Sequence, residues 1–398
     1  MRVLKTLAQT TVLGCAVSMI PAAAFAGGWS TEGIADYDLL FAKEKFAAEA
    51  QITYGARNVD FKDAETQAVG IGNLPGASSA NDIAPDVWLG AGSVKFGLTD
   101  NIDLFARVNQ PYIIREQPGF DWNGQFAIGE TNADALGIDA MLSYKHAVAK
   151  GHYLRVFGGV RSVTVDYEQL STPQAAGNPF SGQNEISVES DRQYGYRIGA
   201  AYEVPEIALR ALIAYESAID LDLDGDLTSP LLGGVPLDAS ASATLPQSIE
   251  AKIQTGVAPG WLVSLGVKWT DWSVLDELAV DVAVPGGLAI VRDLGYSDGW
   301  IVEAGVGHQL TEKLSIGSTL TWDKGIGGPY SDLYAVGLGG SYDLTENVKF
   351  SLGGRAVYKT AGEGTYNIAN SGTGTVNTDY EYDSSWNFAV SSKIRVAF

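Results

Sequence analysis

The chain has 398 residues, a formal net charge of −21, 47 glycines and a 10% share of aromatic residues. This negative charge argues against a nucleic-acid partner. Abundant glycine and aromatic residues at a mean hydropathy of +0.03 are typical of many short strands rather than of a helical protein.

The first 26 residues have the pattern of a secretory signal peptide. Arg2 and Lys5 give a positive start, residues 13–20 are mostly apolar, and residues 24–26 read Ala-Phe-Ala, a small-x-small cleavage site. An alternative is lipidation at Cys15, which would leave a very short apolar region. Removal of the signal removes the only cysteine, so the exported chain is expected to fold without disulfides.

From Phe46 onward, fourteen segments alternate between apolar and polar residues. Long polar stretches and tight turns separate them in turn, and residues 98–101, 310–313 and 344–347 share a Leu-Thr-acid turn pattern. After the signal, no segment offers the roughly 18 consecutive apolar residues that a spanning helix needs. Because backbone groups in lipid must be satisfied internally, residues 46–398 are predicted to form an all-β, 14-stranded antiparallel transmembrane β-barrel in a bacterial outer membrane.

The alternation is clearest in residues 261–270. Trp261, Leu265 and Trp269 would face lipid, with the two tryptophans at the membrane interfaces, while Lys268 would face the lumen. The last strand places Phe398 on the outward row. A soluble β-sandwich with one buried face is the alternative, and it does not explain why long strands and interface aromatics recur together.

The same parity assigns charged side chains to the lumen. The predicted inward bases are Arg57, Lys95, Arg107, Lys145, Arg155, Arg161, Arg197, Arg210, Lys252, Lys268, Lys349, Arg355, Lys359, Lys393 and Arg395. The predicted inward acids are Glu49, Asp103, Asp139, Glu216, Glu250, Glu303 and Asp323. A net basic lumen would favour anionic head groups, whereas a ladder of inward salt bridges is the alternative. Arg155, Arg161, Lys252, Lys268 and Arg355 are the predicted contacts along a substrate pathway.

Motifs of enzymes are scarce. The chain has no Gly-x-Ser-x-Gly elbow, no His-Glu-x-x-His and no glycine-rich phosphate loop. Its three histidines, His146, His152 and His308, lie near predicted periplasmic turns. We therefore expect neither an enzyme nor a cofactor.

One acidic run resembles half of a calcium loop. Asp220, Asp222 and Asp224 have the spacing of the first ligands, but the twelfth position is Leu231, where a bidentate Glu would be expected. The run is a weak calcium candidate that would bridge to lipopolysaccharide. The alternative is a solvated acidic loop.

Pro111 interrupts the third predicted strand, at residues 102–115. Proline cannot donate a hydrogen bond to a sheet, and a closed barrel has no edge strand to accommodate it. Either the strand ends early and Pro111 opens its loop, or the strand kinks and the wall opens sideways.

The sequence around these features resembles the FadL/TodX family of outer-membrane transporters of long-chain fatty acids and other hydrophobic compounds. Residues 109–124, from Asn109 through Pro111 to a Trp-x-Gly, resemble the family's segment after the third strand. The Leu-Pro-x-Ser of residues 245–248 and the Trp-x-x-Trp-Ser of residues 269–273 resemble its central hairpin.

The resemblance implies passive transport. We expect a monomer, with a hydrophobic ligand, outer-membrane lipid and lipopolysaccharide as its partners. A hydrophobic ligand would bind a groove among the loops, enter a lumen pocket and leave sideways past Asn109 and Pro111. Apolar surface in residues 71–75 and 227–236 would supply the groove, or would serve only for loop packing. Residues 27–45 correspond to the family's N-terminal plug, which here is short and lacks its Asn-Pro-Ala element. A general diffusion porin and a surface adhesion or structural barrel are the alternatives.

Overall fold

The computed structural model of the chain describes residues 28–68, 72–73, 76–173, 182–370 and 374–398. The predicted signal peptide lies outside these residues. No helix in the described ranges is long and apolar enough to cross a membrane. The strands are β1 (Phe46–Ala56), β2 (Phe61–Ala68), β3 (Gly72–Asn73), β4 (Val87–Gly97), β5 (Ile102–Asn109), β6 (Ile113–Glu116), β7 (Glu130–Ala149), β8 (His152–Ser171), β9 (Asn184–Ser190), β10 (Gln193–Val204), β11 (Leu209–Glu216), β12 (Ile219–Thr228), β13 (Pro236–Leu245), β14 (Ser248–Ala258), β15 (Trp261–Thr270), β16 (Glu277–Val282), β17 (Leu288–Asp293), β18 (Gly299–Gln309), β19 (Leu314–Asp323), β20 (Leu333–Asp343), β21 (Val348–Lys359), β22 (Gly362–Asn370), β23 (Gly374–Tyr382) and β24 (Ser385–Ala397). Short 3-10 helices span Asp38–Phe41, Asn123–Phe126, Pro205–Ile207, Pro230–Leu232 and Trp272–Val274.

Fourteen of these strands close into an antiparallel barrel, which confirms the predicted fold. The ring runs β1, β4, β5, β7, β8, β10, β11, β14, β15, β18, β19, β20, β21 and β24, and β24 returns to β1. The closing pair is in register from Ala47 opposite Ala397 to Ala56 opposite Phe388. Backbone hydrogen bonds of 3.1 and 2.8 Å between Phe46 and Phe398 extend it to the last residue.

Threonine side chains fix the repeated tight turns. Thr99, Thr311 and Thr345 each accept hydrogen bonds through Oγ1 from the backbone N–H groups two and three residues later, at 3.0 to 3.2 Å. This local bond competes with strand pairing and closes the chain into a hairpin. The Leu-Thr-acid pattern therefore marks one end of the barrel, the periplasmic end by the asymmetry of outer-membrane barrels.

Side chains on the ring strands alternate as predicted. On β15, Leu265 on the outer surface is 53% exposed whereas Lys268 in the lumen is 4% exposed. Trp261 and Trp300 are also exposed on the outer wall. This apolar outer surface with interface aromatics is what a lipid-facing barrel requires.

Strands continue beyond the ring on the side of the long connections. β9, β12, β13, β16, β17, β22, β23 and β2 are paired in that order and extend from the upper part of β8. We call these strands the outer tier. Their inward residues are apolar and buried, including Leu221, Leu223 and Val280. The sequence analysis assigned these segments to loops, and the paired strands of the outer tier correct that assignment.

The acidic run belongs to this outer tier. Asp220, Asp222 and Asp224 lie on β12, an extended strand, and all three side chains are exposed. Alternate residues of a strand point to one face about 7 Å apart and do not converge as ligands in a loop do. Within the described residues no group of three or more His, Cys, Asp or Glu side chains is placed to hold a metal ion. The calcium candidate is therefore corrected.

The segment before β1 lies inside the ring. Tyr37, Leu39 and Leu40 are almost fully buried and pack in one cluster with Phe105 and Phe157 of the barrel wall. The ring of Tyr37 lies 5.5 Å from that of Phe157. The N-terminal segment therefore packs against the inner face of the barrel wall at this level.

Candidate functional site

The third barrel strand is interrupted at Pro111. β5 ends at Asn109 and β6 begins at Ile113, while both remain paired with β7. The Tyr112 carbonyl accepts from Ala135 N–H at 3.1 Å, so the chain keeps its place beside β7 through the interruption. The strand therefore does not simply end before Pro111, and of the two alternatives the structure supports a kink.

On its other side the kinked strand leaves β4. The last pair between them is Ala91 opposite Asn109, although β4 continues to Val87 alongside β1. The side chain of Gln110 spans the next position, where its Oε1 accepts a hydrogen bond from Gly90 N–H at 3.0 Å. A side chain thus replaces the backbone ladder at this point in the wall. We call this position the wall gap.

The N-terminal segment takes the place of β4 beside the kink. Ser30 and Tyr112 form an antiparallel bridge. Thr31 N–H donates to the Pro111 carbonyl, and Ile113 N–H donates to the Trp29 carbonyl, both at 2.9 Å. The hydroxyl of Thr31 donates to the Gln110 carbonyl. The backbone groups freed by the kink are therefore satisfied from inside the barrel, as burial requires.

Among the described residues, three cavities adjoin residues 29–31. The apolar cavity, of about 40 Å³, lies within the outer tier and is lined by Trp29, Tyr112 and inward residues such as Ile114, Leu221 and Val280. The cation cavity, of about 100 Å³, is lined by Trp29 to Thr31 together with both polar and apolar residues, including Arg57 and Lys359. The gap cavity, of about 40 Å³, reaches Gly90 and Gln110 at the wall gap. Trp29 lines the first two cavities, and Thr31 lines the second and third.

A buried ionic network holds the N-terminal segment below these cavities. Glu32 accepts from Arg161 Nη2 at 2.9 Å and from Asn109 Nδ2 at 3.0 Å. Asp36 receives both Nη groups of Arg107 at 2.6 and 2.7 Å, a bidentate pair. Bidentate arginine–carboxylate pairs are strong and fix orientation.

The predicted pathway residues are placed as follows. Arg155 pairs with Asp103 at 2.6 Å and Glu203 at 2.8 Å, Arg161 with Glu216 at 2.6 Å and Glu32, Lys252 with Asp38 at 3.9 Å, and Arg355 with Glu303 at 3.2 Å. Lys268 is buried, and its ammonium interacts electrostatically with Glu216 and Glu250. Asn109 and Pro111 lie at the wall gap. The network joins Asn109, Arg161 and Lys268, whereas Arg155 and Arg355 lie in separate pairs.

These pairs correct the expectation of surplus positive charge in the lumen. Three of the missing counter-charges, Glu32, Asp36 and Asp38, come from the N-terminal segment and were not counted among the inward acids. Glu203, which pairs with Arg155, was not counted either. The alternative of an inward ladder of salt bridges describes the lumen better. The three carboxylates of the N-terminal segment could have been predicted from the sequence, because this segment was expected to enter a basic lumen.

A further buried carboxylate, Glu116 at the end of β6, contacts residues of the outer tier. Glu116 accepts from the hydroxyls of Tyr330 and Tyr366, both at 3.1 Å, and lies 3.7 Å from Arg292 Nη2. Burial raises the pKa of both tyrosine hydroxyls well above their usual value, and the nearby Glu116 charge adds to the effect. Both hydroxyls therefore remain protonated donors. Sequence reasoning did not single out Glu116, Gln110 or Trp29.

The predicted apolar loop surface is only partly described. Ile71, Leu74 and Pro75 lie outside the described residues. Leu227 faces inward and is 2% exposed, while Val235 is exposed to solvent. Residues 227–236 thus contribute both to packing and to an exposed apolar surface.

A closed lipid-facing barrel with a filled lumen, an interrupted wall and an apolar outer cavity defines an outer-membrane transport barrel. Comparison with known proteins agrees. Residues 39–395 match the family model described as outer membrane protein transport protein (OMPP1/FadL/TodX), and the chain belongs to this family. It is a protein of the bacterial outer membrane.

Individual relatives are distant but extend over most of the chain. The long-chain fatty acid transport protein of Escherichia coli O6:H1 is 22% identical over 90% of this chain and 94% of its own length. A Pseudomonas aeruginosa FadL homologue of known structure has a TM-score of 0.72 at 16% identity, covering 96% of this chain and 99% of its own. The Pseudomonas putida toluene transporter TodX has a TM-score of 0.61 at 13% identity, covering 95% and 97%. At these identities the structural likenesses show the fold alone.

Proposed function

We propose that the chain transports hydrophobic small molecules, with long-chain fatty acids as the leading candidate, from the apolar cavity to the lipid through the wall gap. The observation that carries this proposal is the replacement of backbone pairing by the Gln110 side chain opposite Gly90. Breaking one side-chain hydrogen bond is far easier than separating paired strands, since a net hydrogen bond contributes only about 1 kcal/mol.

The cavities support this direction of movement. The lining of the apolar cavity suits methylene groups of an acyl chain, each of which gains about 0.8 kcal/mol when it is removed from water. The gap cavity, in contrast, is lined by charged and polar residues such as Asp36, Glu49 and Arg107. A hydrophobic ligand that reaches it lowers its free energy by leaving sideways into lipid. Long-chain fatty acids are the substrate named for the Escherichia coli relative.

A cross-link across the wall gap tests the proposal. Because the predicted mature chain has no cysteine, Gly90→Cys with Gln110→Cys can be joined by a short thiol-reactive cross-linker. The matched control is Leu265→Cys with Ala304→Cys, a paired position on β15 and β18 about half the ring away. Uptake of a labelled long-chain fatty acid into cells is measured before and after cross-linking.

We expect cross-linking at the gap to abolish uptake and cross-linking at the control pair to leave it unchanged. Full uptake with a closed gap would refute the lateral route. A general diffusion porin makes the opposite prediction about conductance, because its lumen must be open. Wide, stable ion conductance of the unmodified chain in planar bilayers would favour the porin over this proposal.

A further inference from the structure

Two neighbouring hairpins of the outer tier end in apolar, uncharged tips. Tip one, residues 229–235 between β12 and β13, reads Ser-Pro-Leu-Leu-Gly-Gly-Val. Tip two, residues 283–287 between β16 and β17, reads Ala-Val-Pro-Gly-Gly. Because β13 pairs with β16 and Ala283 N–H donates to the Asp238 carbonyl at 2.9 Å, the two tips lie side by side.

The apolar side chains of both tips point outward. Leu232 and Val235 in tip one are 37% and 53% exposed, and Pro285 in tip two is exposed as well. A Cβ added at Gly233 or Gly286 would meet no described atom within 4 Å, so the space around the tips is open. Apolar groups that are exposed together commonly mark an interaction site.

The backbone of tip one is hydrogen-bonded within the tip. Leu232 and Gly234 donate from their N–H groups to the Ser229 carbonyl, at 3.0 and 2.9 Å. Leu231 N–H donates to the Ser229 hydroxyl at 3.2 Å, and Pro230 has no N–H. Tip one therefore presents apolar side chains while its polar backbone groups are engaged inside it.

Tip two follows the same rule. Gly287 N–H donates to the Val284 carbonyl at 2.8 Å, and Pro285 has no N–H. A segment that satisfies its own backbone groups can enter an apolar phase at low cost. A partner that adds a strand requires free backbone groups instead, so both tips suit a lipid surface better.

Exposed carboxylates surround the bases of the tips. Asp226 on β12 lies opposite Asp238 on β13, and Asp281 on β16 comes shortly before tip two. All three side chains are exposed. Since these charges would repel an anionic surface, they favour an uncharged or zwitterionic one.

The tips stand well away from the membrane that holds the barrel. β12 follows ring strand β11 and has 10 residues. At a rise of about 3.3 Å per residue and a tilt of about 40°, its far end stands about 25 Å beyond the ring. A lipid surface that covers the tips is therefore a second surface, outside the cell.

We propose that tips one and two dock onto the neutral lipid surface of an external micelle, droplet or vesicle and insert their exposed apolar side chains into it. A stable protein interface takes about 20–30 residues a side, more than the two tips supply. The inference goes beyond the proposed function, because it concerns attachment of the whole protein to a lipid phase and does not depend on the wall gap.

Flotation with lipid vesicles tests the inference. The full chain in nanodiscs is mixed with phosphatidylcholine or phosphatidylglycerol vesicles, and the fraction that floats with the vesicles is measured. The tip variant is Leu232→Ser with Val235→Ser. The matched control is Ile207→Ser with Val257→Ser, two residues that are 50% and 60% exposed at the opposite, tight-turn end.

We expect the unmodified chain to float with phosphatidylcholine vesicles and the tip variant to bind them about tenfold more weakly, from the lost apolar burial. The control should bind like the unmodified chain. Phosphatidylglycerol vesicles should bind more weakly, with a difference that shrinks as salt is added. An environment-sensitive fluorophore on Val235→Cys should shift to the blue with phosphatidylcholine vesicles, whereas the same label on Val257→Cys should not.

Four results would overturn the inference. They are equal flotation of the tip variant and the unmodified chain, equal losses in the tip and control variants, stronger binding to phosphatidylglycerol than to phosphatidylcholine, and an unshifted label at Val235. Association of nanodiscs with one another in the absence of vesicles, lost in the tip variant, would assign the tips to a second copy of the chain and would overturn the lipid surface too.

Discussion

Neutralising Glu32 should loosen the N-terminal segment without disturbing the barrel. In Glu32→Gln the carboxylate loses its charge-assisted bonds to Arg161 and Asn109. Each such bond contributes about 1.5–3 kcal/mol. Arg161 keeps Glu216 as a partner, so no guanidinium is left unpaired and the lower end of the range applies to each bond. The expected loss is about 3 kcal/mol in the free energy that holds the segment in place.

Native-state hydrogen exchange measures this loss directly. The amide of Thr31 donates to the Pro111 carbonyl, and the amide of Ala35 donates to Glu250 Oε2 at 2.7 Å. Since about 1.4 kcal/mol corresponds to a factor of ten, both amides should exchange about a hundredfold faster in the variant. Amides of the ring strands should keep their unmodified rates.

The matched control is Glu303→Gln, which removes a lumenal carboxylate that pairs with Arg355 on the barrel wall. It should leave the exchange of Thr31 and Ala35 unchanged. Unchanged exchange of these amides in Glu32→Gln would refute the reasoning that the network anchors the segment. Faster exchange throughout the ring would refute it as well, because Glu32 would then stabilise the barrel as a whole.

Three further outcomes follow from the site. Gln110→Ala removes the acceptor for Gly90 N–H, so the exchange rate of that amide should rise while the paired amides of β4 and β1 keep theirs. Trp29→Ala removes ring contacts with Trp272 and Tyr296 and should lower the free energy of unfolding by about 2 kcal/mol, less than the loss of a fully buried Trp would. The loss should be measurable as a lower midpoint of thermal unfolding. The pKa of Tyr330 is raised by burial, so its stabilising contribution is complete below about pH 10 and is lost only as pH rises through the higher folded-state pKa. In a pH titration, tyrosinate absorbance should therefore rise at a higher pH for the folded chain than for the same chain in denaturant.

The barrel was predictable because its information is local. Alternation along β15 places Leu265 outside and Lys268 inside without reference to any other strand. The outer tier was equally local, since residues 219–224 alternate strictly between apolar residues and Asp. It was assigned to loops because its acids were interpreted as solvated chain, although one exposed face of a strand is also a place for acids.

The site was less predictable because it depends on distant pairs. Arg161 and Glu32 are separated by 129 positions, and no local sequence pattern predicts their contact. Parity identified which bases point inward, but it could not show that Arg355 pairs with Glu303 whereas Lys359 contacts the Ser331 hydroxyl and the Tyr382 ring. Pro111 was informative because a residue without an N–H interrupts the hydrogen bonding of any sheet. The hydrogen bond of Gln110, in contrast, can be recognised only when Gly90 is known to lie beside it.

The charge pairing gives a physical reason for the proposed sideways exit. Below the wall gap the lumen is crossed by Glu32, Asp36 and their guanidinium partners, whose side chains are buried and form ion pairs with one another. An alkyl chain passing through would separate these pairs and offer nothing in exchange, and breaking a buried pair costs about 3–5 kcal/mol. At the gap, by contrast, the hydrogen bond from Gly90 N–H to Gln110 Oε1 takes the place of backbone pairing. In the proposed route, the ionic network therefore makes passage through the lumen costly and the kinked third strand the easier exit.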